Sequence, residues 1–204
     1  MKFKNFVFDL DGTLIDTELS CLKNWQFTLE QIGKKYSLEH LKGIMGLPIP
    51  EATKKLDIKI GESFEADWIK NYSRFSKDMN FFDGIKEMLA GLKEKGINLG
   101  IVTSRKKEEY TNFFKDFSLE KMFSTIVCAD DTVKHKPNPE PLFKYMELTK
   151  SKPQECIYIG DMPTDIACAR AAKVKSGIAA WNGNKIKAPA TYTFKRPMDV
   201  FKVL

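Results

Sequence analysis

Asn5-Phe6-Val7-Phe8-Asp9-Leu10-Asp11-Gly12-Thr13 runs from four residues with the pattern of a buried strand into two carboxylates and a glycine. A carboxylate at the tip of a buried strand is costly to desolvate unless a cation compensates it, and a second one two residues on deepens the cost. A divalent ion is the simplest remedy. Magnesium suits a site of one or two carboxylates that keeps waters and takes a substrate phosphate oxygen. Gly12 lets the chain turn sharply, so that backbone N–H groups around Leu10 and Gly12 can face phosphate oxygens. The competing reading is a surface strand with an Asx/Gly turn, and the apolar run ahead of Asp9 argues against it.

The next convincing strand is Ile97-Asn98-Leu99-Gly100-Ile101-Val102. Between the two strands a packing helix needs only residues 84–95, with Ile85, Met88, Leu89 and Leu92 on one face and Gly96 as its stop. A strand-helix-strand unit takes on the order of 30 residues, so residues 16–82 are surplus and read as an inserted helical subdomain. Two stripes inside it recur at helical spacing and can pack on each other: Leu22, Trp25, Leu29 and Ile32, then Phe64, Trp68, Tyr72, Phe75 and Met79. Between them Ser37 has the character of an N-cap, and Gly43-Ile44-Met45-Gly46-Leu47-Pro48 that of a turn before a short helix started by Pro50. Beyond Val102 the pattern alternates: helix 106–117, strand 124–128, helix 139–148, strand 156–159, helix 164–172, strand 176–180. Such alternation predicts a parallel sheet with helices on both faces, binding its ligands at the carboxyl ends of the strands.

That rule brings distant residues to one crevice. Asp9 and Asp11 follow the first strand, Thr103 and Ser104 the second, Lys136 the third, Asp161 and Asp165 the fourth. Asp161, in Gly160-Asp161-Met162-Pro163-Thr164-Asp165, stands at a strand tip and suits a direct metal ligand. Asp165 begins the next helix, where it can hold a metal-bound water, pair with a lysine, or only complement the helix dipole. Lys136 lies in Lys134-His135-Lys136-Pro137-Asn138-Pro139-Glu140-Pro141, whose prolines stiffen the loop and hold the ammonium in place. Lys134 is the alternative cation, but Pro137 directly follows Lys136 and favours it; His135 is expected to be exposed. The Thr103 hydroxyl and the N–H that follows form a small donor pair for a phosphate oxygen, unless Ser104 only caps the next helix.

With 204 residues, 43% of them hydrophobic, the chain can bury one core plus a small satellite but hardly two full domains. Its net charge of +6 is interleaved along the helices, which favours a surface that attracts anionic substrates over a nucleic-acid-binding module. Cys21, Cys128, Cys156 and Cys168 show no metal-ligand spacing and read as reduced thiols. No apolar run approaches membrane-spanning length, so a soluble cytoplasmic protein without a membrane partner, a monomer or weak dimer, is expected.

In this order, Asp9-Leu10-Asp11-Gly12-Thr13, Thr103, Lys136-Pro137 and Gly160-Asp161 with Asp165 resemble the four motifs of the haloacid dehalogenase-like hydrolase superfamily. The insert, with Met45-Gly46-Leu47-Pro48 ahead of a helix, resembles the cap of the branch containing phosphoglycolate phosphatase and β-phosphoglucomutase. The resemblance implies an α/β fold: a Rossmann-like parallel sheet core, residues 1–15 and 83–204, with a small inserted helical cap domain, residues 16–82. It also implies a magnesium-dependent phosphatase of a small phosphorylated metabolite, phosphoglycolate or a sugar phosphate among the candidates. Asp9 would attack phosphorus, Asp11 would pass protons as general acid and base, and Thr103 and Lys136 would offset phosphoryl charge. Asp9, Asp11 and Asp161 would hold Mg2+, with Asp165 in support. Leu10, Gly12, Ser104 and, in the cap, Gly46 would contact phosphate or substrate. Met162 and Pro163 depart from the residues usual after the fourth-motif Asp, and the stretch from Trp181 to Tyr192 is short for the family. Two other readings stay open: a phosphomutase, with Lys42 clamping a second phosphate, and a non-enzymatic phosphoacceptor switch.

Overall fold

A computed structural model of the chain describes residues 2–47, 49–183 and 188–204. The chain divides into two compact units, Met1–Asp16 with Phe81–Leu204, and Thr17–Asn80. In chain order the strands are β1 (Asn5–Phe8), β2 (Ile15–Asp16), β3 (Asn80–Phe81), β4 (Asn98–Val102), β5 (Thr125–Val127), β6 (Cys156–Gly160), β7 (Lys175–Ala179) and β8 (Tyr192–Phe194). The α-helices are α1 (Glu18–Gln31), α2 (Leu38–Leu41), α3 (Ile49–Lys55), α4 (Phe64–Tyr72), α5 (Ile85–Glu94), α6 (Lys107–Phe113), α7 (Glu140–Thr149) and α8 (Pro163–Ala171).

The first unit is built on a six-stranded sheet in the order β5-β4-β1-β6-β7-β8, and each neighbouring pair is parallel. A parallel sheet with helices over both faces has no wet side, which is why β1 and β6 are buried at every position. Full burial of a side chain such as Phe6, Val7 or Phe8 contributes about 1.5–3 kcal/mol relative to exposure. Helix α5 buries Ile85, Met88, Leu89 and Leu92, the stripe read from its spacing. On one face Val7, Val102, Val127 and Tyr158 join Leu142, Tyr145 and Met146 of α7 and Cys168 and Ala169 of α8 in a single core.

Register decides where chemistry gathers. Phe8 lies opposite Ile101 of β4 and Ile159 of β6, so these three strands end level with one another. The chain steps from β1 to β4 on one side and reaches β6 on the other, which makes the end of β1 the switch point where such sheets bind ligands.

In the second unit Ser37 accepts the His40 N–H and caps α2, and α1 packs on α4 through Trp25 with Phe64 and Trp68. The two apolar stripes end sooner than their spacing predicts. Ile32 lies past the end of α1 and is 42% exposed. Phe75 falls in the 3-10 turn Ser73–Asp78 and meets Phe27 edge-on instead of continuing the α4 stripe. Gly46 is exposed with φ 76°, Lys42 pairs with Glu39 at 2.8 Å, and Pro48 lies outside the described residues.

Other departures have local causes. The helix expected over 106–117 stops at Phe113 and gives way to single 3-10 turns around Ser118, whose φ of 49° no helix accommodates. Strand β8 is three residues long and half-buried at its start, too short for an alternation to register. The ribbon β2-β3 is two residues on each side. Among the described residues no helix is long and apolar enough to cross a membrane.

Candidate active site

Asp9 continues the sheet geometry of β1, donating its N–H to the Ile159 carbonyl at 2.8 Å, and its carboxylate is buried at the sheet's edge. Past it the chain folds back: the Leu10 carbonyl accepts from Leu14 and Ile15 at 3.0 and 3.1 Å, and Gly12 donates to Ile15 at 2.8 Å. The Gly12 N–H is therefore engaged within the loop, and the Leu10 side chain belongs to the core. Gly12 is required twice over. Its φ is +74°, and a Cβ there would stand 2.6 Å from Asp161 Oδ2. Gly160 is required for a similar reason, since a Cβ would collide with the Asp165 carboxyl group.

One carboxylate oxygen from each of Asp9, Asp161 and Asp165 lies within 4.8 Å of the others, and all three residues are buried. Lys136 is set among them. Its Nζ is 2.7 Å from Asp9 Oδ1 and 2.7 Å from Asp165 Oδ1, and 3.1 Å from the Tyr158 hydroxyl. The loop that presents it is fixed by Glu140, whose carboxylate accepts the N–H groups of Val133 and Lys134. Lys134 and His135 are exposed. Burial works to discharge Lys136, but Asp165 and Asp9 outweigh it and hold the ammonium above its ordinary range.

The three acids differ in what they have left to offer. Both oxygens of Asp165 are engaged, Oδ1 by Lys136 and Oδ2 by the Met162 N–H at the start of α8. Asp161 also accepts at both oxygens, but from neutral side chains: Oδ1 from Thr13 Oγ1 at 3.1 Å and Oδ2 from Asn182 Nδ2 at 3.0 Å. Burial, with the charge of Asp165 adding to it, pushes Asp161 up to about 6. Asp9 is raised as well, by burial first and by Asp165 and Asp161, against the opposing pull of Lys136. Its Oδ2 has no partner among the described residues. Two negative charges in excess of the lysine, on hard oxygen donors in a buried edge, are a setting that fits a divalent cation. Asp9, Asp161 and Asp165 are the residues that could hold it, with the ammonium of Lys136 already on Asp165 and only neutral donors on Asp161.

Asp11 does not join this cluster. Its carboxylate is turned to Arg105, which donates from Nη2 to Oδ1 at 2.8 Å and from Nε to Oδ2 at 3.1 Å. Thr103 is buried at the end of β4, its hydroxyl accepting the Arg105 N–H at 3.1 Å. Ser104 is exposed and does not cap α6, which starts at Lys107. Four participants do not stand out in the sequence. Arg105 and Tyr158 are described above; Asn182 also bonds the Gly12 carbonyl at 2.8 Å, beside Trp181, whose Nε1 donates to Thr13 O at 2.8 Å. Trp181 and Asn182 follow β7, so the strand-tip rule extended by one strand would have found them.

The geometry has a counterpart among known proteins. Residues 6–179 match the family model of the haloacid dehalogenase-like hydrolases. The chain belongs to this family. Among haloacid dehalogenase-like relatives, a Caldanaerobacter subterraneus protein named for pyrophosphatase PpaX is 35% identical over 190 residues, covering 89% of this chain and 84% of its own. Pyrophosphatase PpaX of Halalkalibacterium halodurans is 33% identical over 187 residues, covering 89% and 85%. The crystal structure of a Lactobacillus plantarum protein named for phosphoglycolate phosphatase superposes over 100% of both chains, with a TM-score of 0.89 and 26% identity.

Proposed function

We propose that this hydrolase is a magnesium-dependent phosphatase of a small phosphorylated metabolite, working through an aspartyl-phosphate on Asp9. The observation that carries the reading is the asymmetry of Asp9: Lys136 fixes Oδ1 at 2.7 Å while Oδ2 has no partner among the described residues. A carboxylate held by one oxygen presents the other in a defined direction, which is what an in-line attack on phosphorus needs.

Magnesium, held by Asp9 and Asp161, would supply charge neutralisation for carboxylates and phosphoryl oxygens together. Asp9 Oδ2 would form the new bond to phosphorus as the bond to the leaving oxygen breaks, with Asp11 giving that oxygen a proton. Water would then attack the phosphoryl group, Asp11 taking its proton, and Asp9 would be regenerated with release of phosphate. Lys136 would balance the charge of Asp9 and Asp165 throughout, and Thr103 would stand beside the phosphoryl oxygens. Residues 16–82 are assigned as the cap, with Gly46 in its substrate loop. The names of the relatives support pyrophosphate and phosphoglycolate as the first compounds to try. A cytoplasmic setting is part of the proposal, in keeping with four free cysteines.

The test is turnover with magnesium on a panel of small phosphate esters and anhydrides, together with Asp9→Asn. Loss on the order of 10³-fold or more is expected, and acid quench followed by mass measurement should find phosphate on unmodified Asp9 only. Substantial activity in a deamidation-free Asp9→Asn preparation rules the covalent route out.

A further inference from the structure

The turn Ala180–Asn182 after β7 closes a ring around Asp161. Trp181 Nε1 donates to the Thr13 carbonyl at 2.8 Å, Thr13 Oγ1 donates to Asp161 Oδ1 at 3.1 Å, and Asn182 Nδ2 donates to Asp161 Oδ2 at 3.0 Å. The same Asn182 nitrogen gives its second hydrogen to the Gly12 carbonyl at 2.8 Å. Both partners are acceptors, so it is the NH2 side of the amide that faces them. One amide thus joins β7, which carries it, to Asp161 at the tip of β6 and to the Gly12 loop that follows β1. The fit is close, since a Cβ on Gly12 would stand 2.6 Å from the Asp161 oxygen that Asn182 holds.

We propose that Asn182 is a positioning residue that keeps the Asp161 carboxylate turned towards Asp9 and Asp165 and so sets the affinity for magnesium. The proposal rests on the magnesium-dependent reading and adds to it a residue outside the acids themselves. Asp9 and Asp165 share the Lys136 ammonium at 2.7 Å each, whereas Asp161 is held by an amide and a hydroxyl. A neutral donor orients a carboxylate without cancelling its charge, and each carboxylate oxygen keeps a second lone pair for another partner. Orientation matters here because like charges repel: a carboxylate that nothing holds turns away from two neighbouring acids, and an incoming ion must then gather the three again. Groups that hold a metal ligand in place raise affinity by removing that step. Trp181 ties the same turn to the same loop but bonds Thr13, not Asp161, which separates holding the loop from holding the carboxylate.

The experiment measures magnesium binding to the substrate-free protein by calorimetry in the unmodified chain, Asn182→Leu, Asn182→Ala and Trp181→Phe. Both Asn182 variants should bind magnesium roughly 10–100-fold more weakly, and Trp181→Phe should stay within about threefold of the unmodified protein. Asn182 is half-buried, so water reaches the space that Asn182→Ala opens, and that variant carries the test if Asn182→Leu does not fold. Turnover of p-nitrophenyl phosphate gives a second readout. In the Asn182 variants the magnesium concentration for half-maximal rate should rise by the same factor, while kcat at saturating magnesium recovers to within about fivefold. A turn that had merely loosened would lower kcat at every magnesium concentration. Magnesium affinity within about twofold of the unmodified protein in both Asn182 variants overturns the proposal and leaves the magnesium reading standing. Equal weakening in Trp181→Phe also overturns it, because the loop and not the carboxylate is then what the turn holds. If the unmodified protein binds no magnesium at millimolar concentration and turns over undiminished in chelator, the proposal and the magnesium reading fall together.

Discussion

Lys136 Nζ lies 2.7 Å from Asp9 Oδ1, and both side chains are almost wholly buried, at 6% and 8% exposure. The contact joins a residue near the start of the chain to a loop at the far end of the sheet's third strand, so it serves the fold as well as the site.

Lys136→Ala should therefore cost stability as well as activity. Breaking a buried pair while leaving its partners in place costs about 3–5 kcal/mol, and here two partners, Asp9 and Asp165, are left. The loss should be largest at neutral pH and shrink at pH 5, where the stranded Asp9 carboxyl, raised by burial, takes up a proton more readily. Urea denaturation at the two pH values measures it, and a loss of under 1 kcal/mol at both would show that the lysine is not needed to balance the acids.

Asp11→Asn should separate proton transfer from nucleophilic attack. For an alkyl phosphate, whose alkoxide leaves poorly, single-turnover phosphorylation should slow by roughly 10²–10⁴-fold. A nitrophenyl phosphate should suffer less, and aspartyl-phosphate should accumulate on Asp9 because the second proton transfer is lost. Equal slowing of both substrates with no trapped intermediate would make Asp11 a structural partner of Arg105 only.

Metal removal should change how stability depends on pH. Asp161 has its folded-state value raised from 3.8 to about 6, so the native state holds a proton that the unfolded chain has already given up. Its contribution is full below pH 4 and is lost as pH rises through 6, a loss of roughly 2–3 kcal/mol. In chelator, thermal stability should fall over that interval for this reason. Millimolar magnesium should stabilise the protein at pH 7.5 and have little effect at pH 4.5, where protons occupy the oxygens it needs. Equal stabilisation at both pH values would place the ion away from Asp161.

What the sequence reveals is what repeats or what stands at an end. The α5 stripe was legible because four apolar residues at helical spacing have one way to be buried together, and all four are. The parallel sheet was legible from its alternating strands and helices. The positions of Asp9, Thr103 and Asp161 follow from a rule about strand tips, although a rule about position says nothing of the direction of a side chain. Hence Asp11 was grouped with the metal ligands, whereas its carboxylate faces Arg105. Arg105 itself opens a run of three basic residues, which by composition looks like a solvated surface. Tyr158 sits inside an apolar run and is buried core; its hydroxyl is what makes it more, lying 2.9 Å from the Val102 carbonyl and 3.1 Å from Asp165.

The place of β1 in the strand order also bears on how the protein comes into being. Its neighbours on the two sides pair Asn5 with Asn98 and with Cys156, so β1 leaves the ribosome well ahead of both partners and waits for them. Loop closure of that length must precede any stabilisation of β1, which places this sheet among the slower topologies to assemble. Asp9 is translated early yet remains an ordinary solvated aspartate until residues beyond 161 are available. A nascent or truncated chain thus cannot carry a half-working site, and catalytic competence arrives together with the completed sheet.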